Sequence, residues 1–288
     1  MKRTLLAVAL SVAASGASAA PFYLDLGASY GSAVDGVCGA NCTGLKDEFL
    51  FTYESASTIY DTDASGSIST GDQIVSDAGY VVGPLSENKI TGFAPDETFG
   101  TESNNGLGSA WEITFSITNW VGTVTVDSSG AIAPTYGNGL LEFYITFDGT
   151  TFNNFMDVQL ETGSVNGTGT AATGIVDFTN VDSSIYNNLF HSGTASCAGS
   201  DGFYDMWLNC GAGSLDEMDI AFLTNFDSNV FYETSFGVNP GTSPLEFTIA
   251  TDHDGSATFA VPEPGTLSLL GLSLLGMGSL RMRRRKSA

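Results

Sequence analysis

In Trp111-Glu-Ile-Thr-Phe-Ser-Ile-Thr118 every odd position is large and apolar and every even position is polar. A pleated strand sends successive side chains to opposite faces, so this stretch reads as a strand with one buried and one wet face. Phe49, Phe51 and Tyr53 repeat the pattern within Glu48–Tyr53. Leu141, Phe143, Ile145 and Phe147 repeat it and stop at Asp148-Gly149, a turn signal. Met156, Val158 and Leu160 repeat it again. Further strand candidates are Phe22–Leu26, Gly174–Phe178, Met218–Phe226, Val230–Phe236, Glu246–Ala250 and Ala257–Val261. Val121–Val126 is expected to pair with Trp111–Thr118 across Asn119-Trp120, and Asn180–His191 to include a short helix. Roughly ten short strands between Gly, Asn and Asp turns predict an all-β body, an antiparallel β-sandwich or jelly roll. No repeat of 20–50 residues is visible, which excludes a solenoid.

The ends differ in kind from this body. Met1–Ala19 has Lys2 and Arg3, then the apolar Leu5–Ala14, then Ala17-Ser18-Ala19. That is the layout of a signal peptide cut before Ala20 by signal peptidase. At the other end, Val261-Pro262-Glu263-Pro264-Gly265 precedes an uncharged, Leu- and Gly-rich run, Thr266–Leu280, and then Arg281, Arg283, Arg284, Arg285 and Lys286. Fifteen helical residues reach about 22 Å, short of a hydrocarbon core of about 30 Å. The run therefore suits a temporary transmembrane hold, with its basic end in the cytoplasm and the body outside. The expected division is a signal peptide at 1–19, a β-rich extracellular domain at 20–260 and a sorting segment at 261–288.

Pro262-Glu263-Pro264, the apolar run and the Arg cluster together resemble the PEP-CTERM sorting signal of Gram-negative bacteria. The resemblance implies recognition and removal of the tail by an exosortase, a membrane protease, and delivery to the cell surface or exopolysaccharide matrix. Membrane contact would then be transient. A plain C-terminal anchor is the other reading of the same residues.

Charge narrows the functions open to the body. Of nine basic residues only Lys46 and Lys89 lie between the ends, against 31 acidic ones, a net charge of −29. Nucleic acid and anionic lipid need basic patches, so neither is an expected partner of the body. Divalent cations are. Cys38 and Cys42 form one local pair of cysteines and Cys197 and Cys210 another. In an exported chain this favours disulfides 38–42 and 197–210 over zinc, for which neither pair has CxxC spacing.

One segment carries recognisable chemistry. Asp61-Thr-Asp-Ala-Ser-Gly-Ser-Ile-Ser-Thr-Gly-Asp72 fits the twelve-residue calcium loop, with oxygen donors at Asp61, Asp63 and Ser65. Gly66 takes the sharp turn, Ser67 offers its carbonyl, Ile68 tacks the loop to the core and Asp72 closes the site. The loop resembles those of dockerins and EF-hands, although Asp72 is shorter than the usual Glu. The preceding segment reads as a strand, and Gln73–Ala78 is the candidate exiting helix. A solvated Asp/Ser/Gly turn is the alternative. Asp252-His253-Asp254-Gly255 reads as a second acidic turn.

No GxSxG, HExxH or phosphate-cradling glycine loop occurs, and no enzymatic activity is expected. Three functions remain: a structural or adhesive protein of an exopolysaccharide, biofilm or floc matrix; a calcium-dependent lectin-like module, with Trp120 or Trp207 stacked on sugar; and a secreted polysaccharide hydrolase with a hidden carboxylate pair.

Overall fold

A computed structural model describes residues 20–31, 36–95, 103–128, 130–166, 169–181, 188–210, 220–227, 232–239, 241–242 and 244–261. The signal-peptide and sorting-segment readings at 1–19 and 262–288 lie outside them. Within them the all-β expectation holds and the sandwich expectation does not. The strands close into an eight-stave antiparallel barrel.

Five staves are the single strands β2 (Glu48–Tyr60), β5 (Glu112–Val126), β8 (Asn153–Asn166), β9 (Gly169–Asp177) and β13 (Glu246–Ala260). The other three are each made of two pieces laid head to tail. β3 (Gln73–Gly79) and β4 (Lys89–Ala94) share the edge of β2. β6 (Ile132–Tyr136) and β7 (Gly139–Thr146) follow β5 in one unbroken register, from Val126↔Ile132 to Glu112↔Thr146. β11 (Ala221–Asp227) and β12 (Tyr232–Asn239) share β13. Each stave pairs with the next in sequence, and β13 closes on β2 from Glu246↔Tyr60 to Ala257↔Phe49. This is an up-and-down order, with no Greek-key crossing.

β5 explains a misreading. Trp111–Thr118, from its second residue on, and Val121–Val126 belong to one strand instead of a hairpin. Ile113, Phe115 and Ile117 are buried, then Thr118 and Asn119 are exposed, then Trp120, Gly122 and Val124 are buried. Asn119 takes φ +52° at this point and the register with β3 slips between Ser76 and Ala78. A bulge has shifted the inward parity from odd to even, which breaks the alternation without breaking the strand. Likewise Glu246–Ala250 and all of Ala257–Val261 but its last residue are parts of β13, and the expected turn at Asp252–Gly255 is mid-strand.

One pole is plugged by segments outside the staves. β1 (Phe22–Leu24) pairs with β10 (Phe190–Ser192), and α1 (Phe203–Cys210) buries Phe203, Met206 and Cys210. Phe22 lies 5.4 Å from Phe259 and from Phe190, and Phe203 5.0 Å from Phe259. The disulfides are Cys38–Cys42 and Cys197–Cys210, as expected; the second ties the loop before α1 to its last residue. The helix expected in 180–191 is not seen in its described part, where Phe190 and His191 belong to β10; 182–187 are outside the described residues.

The barrel is filled. Phe49, Phe115, Phe143, Phe222 and Leu160 meet inside it, leaving an apolar cavity of about 20 Å³. That is room for about one water, not for a ligand.

Candidate functional site

The loop Asp61–Asp72 joins β2 to β3 at the pole opposite the plug. Its entry is fixed by Asp61 N–H donating to Leu245 O (2.9 Å), and its exit by Val124 N–H donating to Asp72 O (2.8 Å). Gly66 has φ +78°, the left-handed conformation that the sixth position requires. Ile68 packs against the core, as expected for the eighth.

The backbone wraps around the carboxylates. Asp61 accepts from Ser65 N–H (2.9 Å) and Gly66 N–H (2.7 Å). Asp72 accepts from Thr62 N–H (2.9 Å) and Ser69 N–H (2.7 Å). Asp63 accepts from Ser65 N–H (2.9 Å) and Ser69 Oγ (3.1 Å), and the Ser65 hydroxyl and amide hold its carboxyl below the usual range. Ser65 Oγ donates to Ser67 O (2.8 Å), so these two donors face each other within the loop. Asp61 and Asp72 are only 3% and 0% exposed.

One carboxylate oxygen from each of Asp61, Asp63 and Asp72 lies within 4.8 Å of the others. Two oxygens on opposite sides of a calcium ion, each at about 2.4 Å, are about 4.8 Å apart, so one ion can touch all three. Both lysines of the body are engaged elsewhere: Lys89 pairs with Glu112, and Lys46 Nζ donates to Pro95 O (2.9 Å). Three converging negative charges, two of them buried, thus lack a cationic side chain among the described residues. This donor set fits a hard divalent cation. The surroundings differ from the dockerin resemblance in one respect. Gln73–Gly79 is strand β3 rather than an exiting helix, so the loop sits between two strands. The segment is edge-paired on both sides, to β2 and to β5, which overrides any helical preference.

Other candidates fall elsewhere. Trp120 is buried, stacked on Tyr136 at 4.3 Å with its indole N–H donating to Gly137 O, and offers no face to a sugar. Trp207 is half-buried against Phe178 and Tyr204. His191 Nδ1 lies 3.1 Å from Asp201, which also accepts from the Tyr23 hydroxyl at 2.8 Å. His253 points into the barrel with Nε2 2.8 Å from Ser55 Oγ and 2.9 Å from Thr251 Oγ1. Sequence reading also missed a row of acids on neighbouring staves, Glu142↔Asp157↔Asp177. Its only signal is register, which a single sequence does not reveal.

No helix among the described residues is long and apolar enough to cross a membrane. Pro262, Glu263, Pro264, Arg283, Arg284 and Arg285 follow the end of β13 and are outside the described residues. No curated protein sequence matches the chain. Residues 260–285 match the PEP-CTERM protein-sorting motif, so the body that ends in β13 carries the sorting signal of an exported, surface-targeted protein that an exosortase processes.

Proposed function

We propose that the chain is a calcium-stabilised structural or adhesive protein of an extracellular exopolysaccharide matrix. On this reading it is exported with a signal peptide cut before Ala20 and released from its tail by an exosortase. The observation that carries it is the sorting motif at 260–285 joined to a barrel whose described aromatic core encloses a cavity of only about 20 Å³. The acidic surface supports it, since calcium can bridge such a surface to anionic matrix polymer. The buried Trp120 weighs against the lectin-like alternative.

Calcium binding is tested by melting. At ten times a millimolar Kd, a ligand specific for the folded state adds about 1.4 kcal/mol. For a body of this size that raises Tm by about 3–5 °C. We expect this rise on going from EDTA to ~10 mM calcium, and its loss in Asp61→Asn. An equal rise in parent and variant, or none in the parent, removes calcium from the account. Matrix function is tested by deleting the gene and measuring cell aggregation and retained polysaccharide; unchanged values in both rule it out.

A further inference from the structure

The two processing points come together in the fold. Ala20 is 7% exposed, and its backbone N–H donates to Phe259 O at 2.8 Å. Pro21 O then accepts from Gly193 N–H (2.6 Å), and Phe22 N–H donates to Lys46 O (2.7 Å), which leads β1 straight into the plug. The first residue after the expected signal-peptide cut is thus fastened beside the last inward residue of β13. The sorting motif starts one residue later, at 260. Val261 is 8% exposed and still belongs to the packed body.

The calcium loop is at the far end of the same strand. Glu246, the first residue of β13, pairs with Tyr60, and Asp61 follows. Fifteen residues separate the two ends of β13, inclusive. At about 3.3 Å per residue and a stave tilt of about 40°, the loop lies about 35 Å from Phe259 along the barrel axis.

The leash is much shorter than that. Only Pro262-Glu263-Pro264-Gly265 lies between the packed Val261 and the apolar run that begins at Thr266. Four residues span at most about 14 Å. Two of them are prolines, which further limit how the leash can fold back.

We propose that the barrel is polar with respect to the membrane: the pole where Ala20 meets Phe259 faces the lipid headgroups while the chain is tethered, and the calcium loop faces away. The proposal rests on the reading of Thr266–Leu280 as a membrane hold and of Met1–Ala19 as a removable leader. Both hydrophobic segments then hang from one point, so the uncut chain can occupy one bilayer from one side without straining the barrel. The calcium pole is free to meet matrix polymer before the tail is cut. With a body charge of −29 and only Lys46 and Lys89 as basic side chains, the body is repelled by anionic lipid, and after the leader is removed the tail supplies the hold. Cutting the tail frees it.

The test uses the full chain expressed in a host with signal peptidase but no exosortase. The purified protein is reconstituted into vesicles of three parts phosphatidylethanolamine to one part phosphatidylglycerol, with headgroup-attached quenchers. Two single variants with intact native disulfides carry a fluorophore, Asp47→Cys beside the Phe259 pole and Ser128→Cys in the turn beside the calcium loop. Both side chains are exposed. Loss of fluorescence at position 47 with none at 128, in protein that floats with the vesicles and begins at Ala20, supports the proposal. Equal quenching at both positions, or more at 128, in floating protein overturns it while leaving the tail reading intact. Protein that does not float refutes the tail reading and this proposal together, and an N-terminus other than Ala20 refutes the assigned cut.

Discussion

His253 lies between two hydroxyls with its ring stacked on Tyr53 at 4.5 Å, and burial lowers its pKa from 6.5 to about 4. Folding therefore favours the neutral ring. Its contribution is complete above pH 6.5 and is lost as pH falls through 4, a difference of about 3 kcal/mol. Asp157 does the opposite. It is 2% exposed, and desolvation, then Glu142 and Asp177 on the two neighbouring staves, raise its pKa from 3.8 to about 6 despite the amide of Asn154. Folding favours its protonated form, so its contribution is present below 3.8 and is lost as pH rises through 6. Allowing for residual screening by solvent, this amounts to about 2 kcal/mol. Between pH 4 and 6 the two side chains offset each other. Asp157→Asn should match the parent in stability near pH 4 and exceed it by about 2 kcal/mol at pH 7, because burial first, and then the like charges of Glu142 and Asp177 directly opposite on adjacent strands, disfavour the ionised carboxyl. His253→Phe should lessen the loss of stability on acidification over the same range. Denaturant unfolding at several pH values measures both; parallel pH profiles for parent and variants would show that neither group is linked to folding.

Trp120 illustrates what an element demands of its neighbours. The β5 bulge turns it inward over Gly139 of β7 and Gly163 of β8, where an added Cβ would collide with the indole in either case. Gly163→Val should cost about 2–3 kcal/mol through overpacking, or roughly 4–10 °C in Tm for a body of this size. In the Trp120→Ala background the same substitution should cost much less, since contacting residues couple; equal costs in both backgrounds would mean that the glycine matters for its backbone alone. The legible and illegible parts of the fold divide along the same line. Strand identity in Glu48–Tyr53, Trp111–Thr118 and Leu141–Phe147 was readable because alternation is a local property. The β5 bulge was not, because a parity change looks like the end of one strand and the start of another. α1 escaped because its apolar spacing, Phe203, Met206 and Cys210, spans only two turns. The turn at Gly66, the inward Ile68 and the convergence of Asp61, Asp63 and Asp72 were legible position by position, since these residues are close in sequence. The loop's exit as a strand was not, because β3 is fixed by β2 and β5 on either side.

At the scale of the whole molecule, the choice between sandwich and barrel rests on one pairing, β2 with β13, whose partners are about as far apart in sequence as the body allows. Inward and outward faces alternate identically in both architectures, so no local pattern distinguishes them. The same closure brings Ala20 to Phe259 and makes the body nearly circular. A circularly permuted body should therefore fold, with Val261 linked to Ala20 through a short glycine linker and new ends opened at Ser128 in the β5–β6 turn. Termini in contact are the condition under which permutation succeeds, and an extra few residues of loop add well under about 1 kcal/mol of closure entropy. We expect both disulfides to form, a cooperative melt, and the parent's rise in Tm with calcium. Opening the ring between Ser67 and Ile68 instead should preserve the barrel and abolish the calcium response, because Asp61 and Asp63 are then no longer held against Asp72. If the two permutants respond alike to calcium, the ion stabilises the barrel somewhere other than this loop; if neither folds, the closing pair of staves needs the native order of the chain to form.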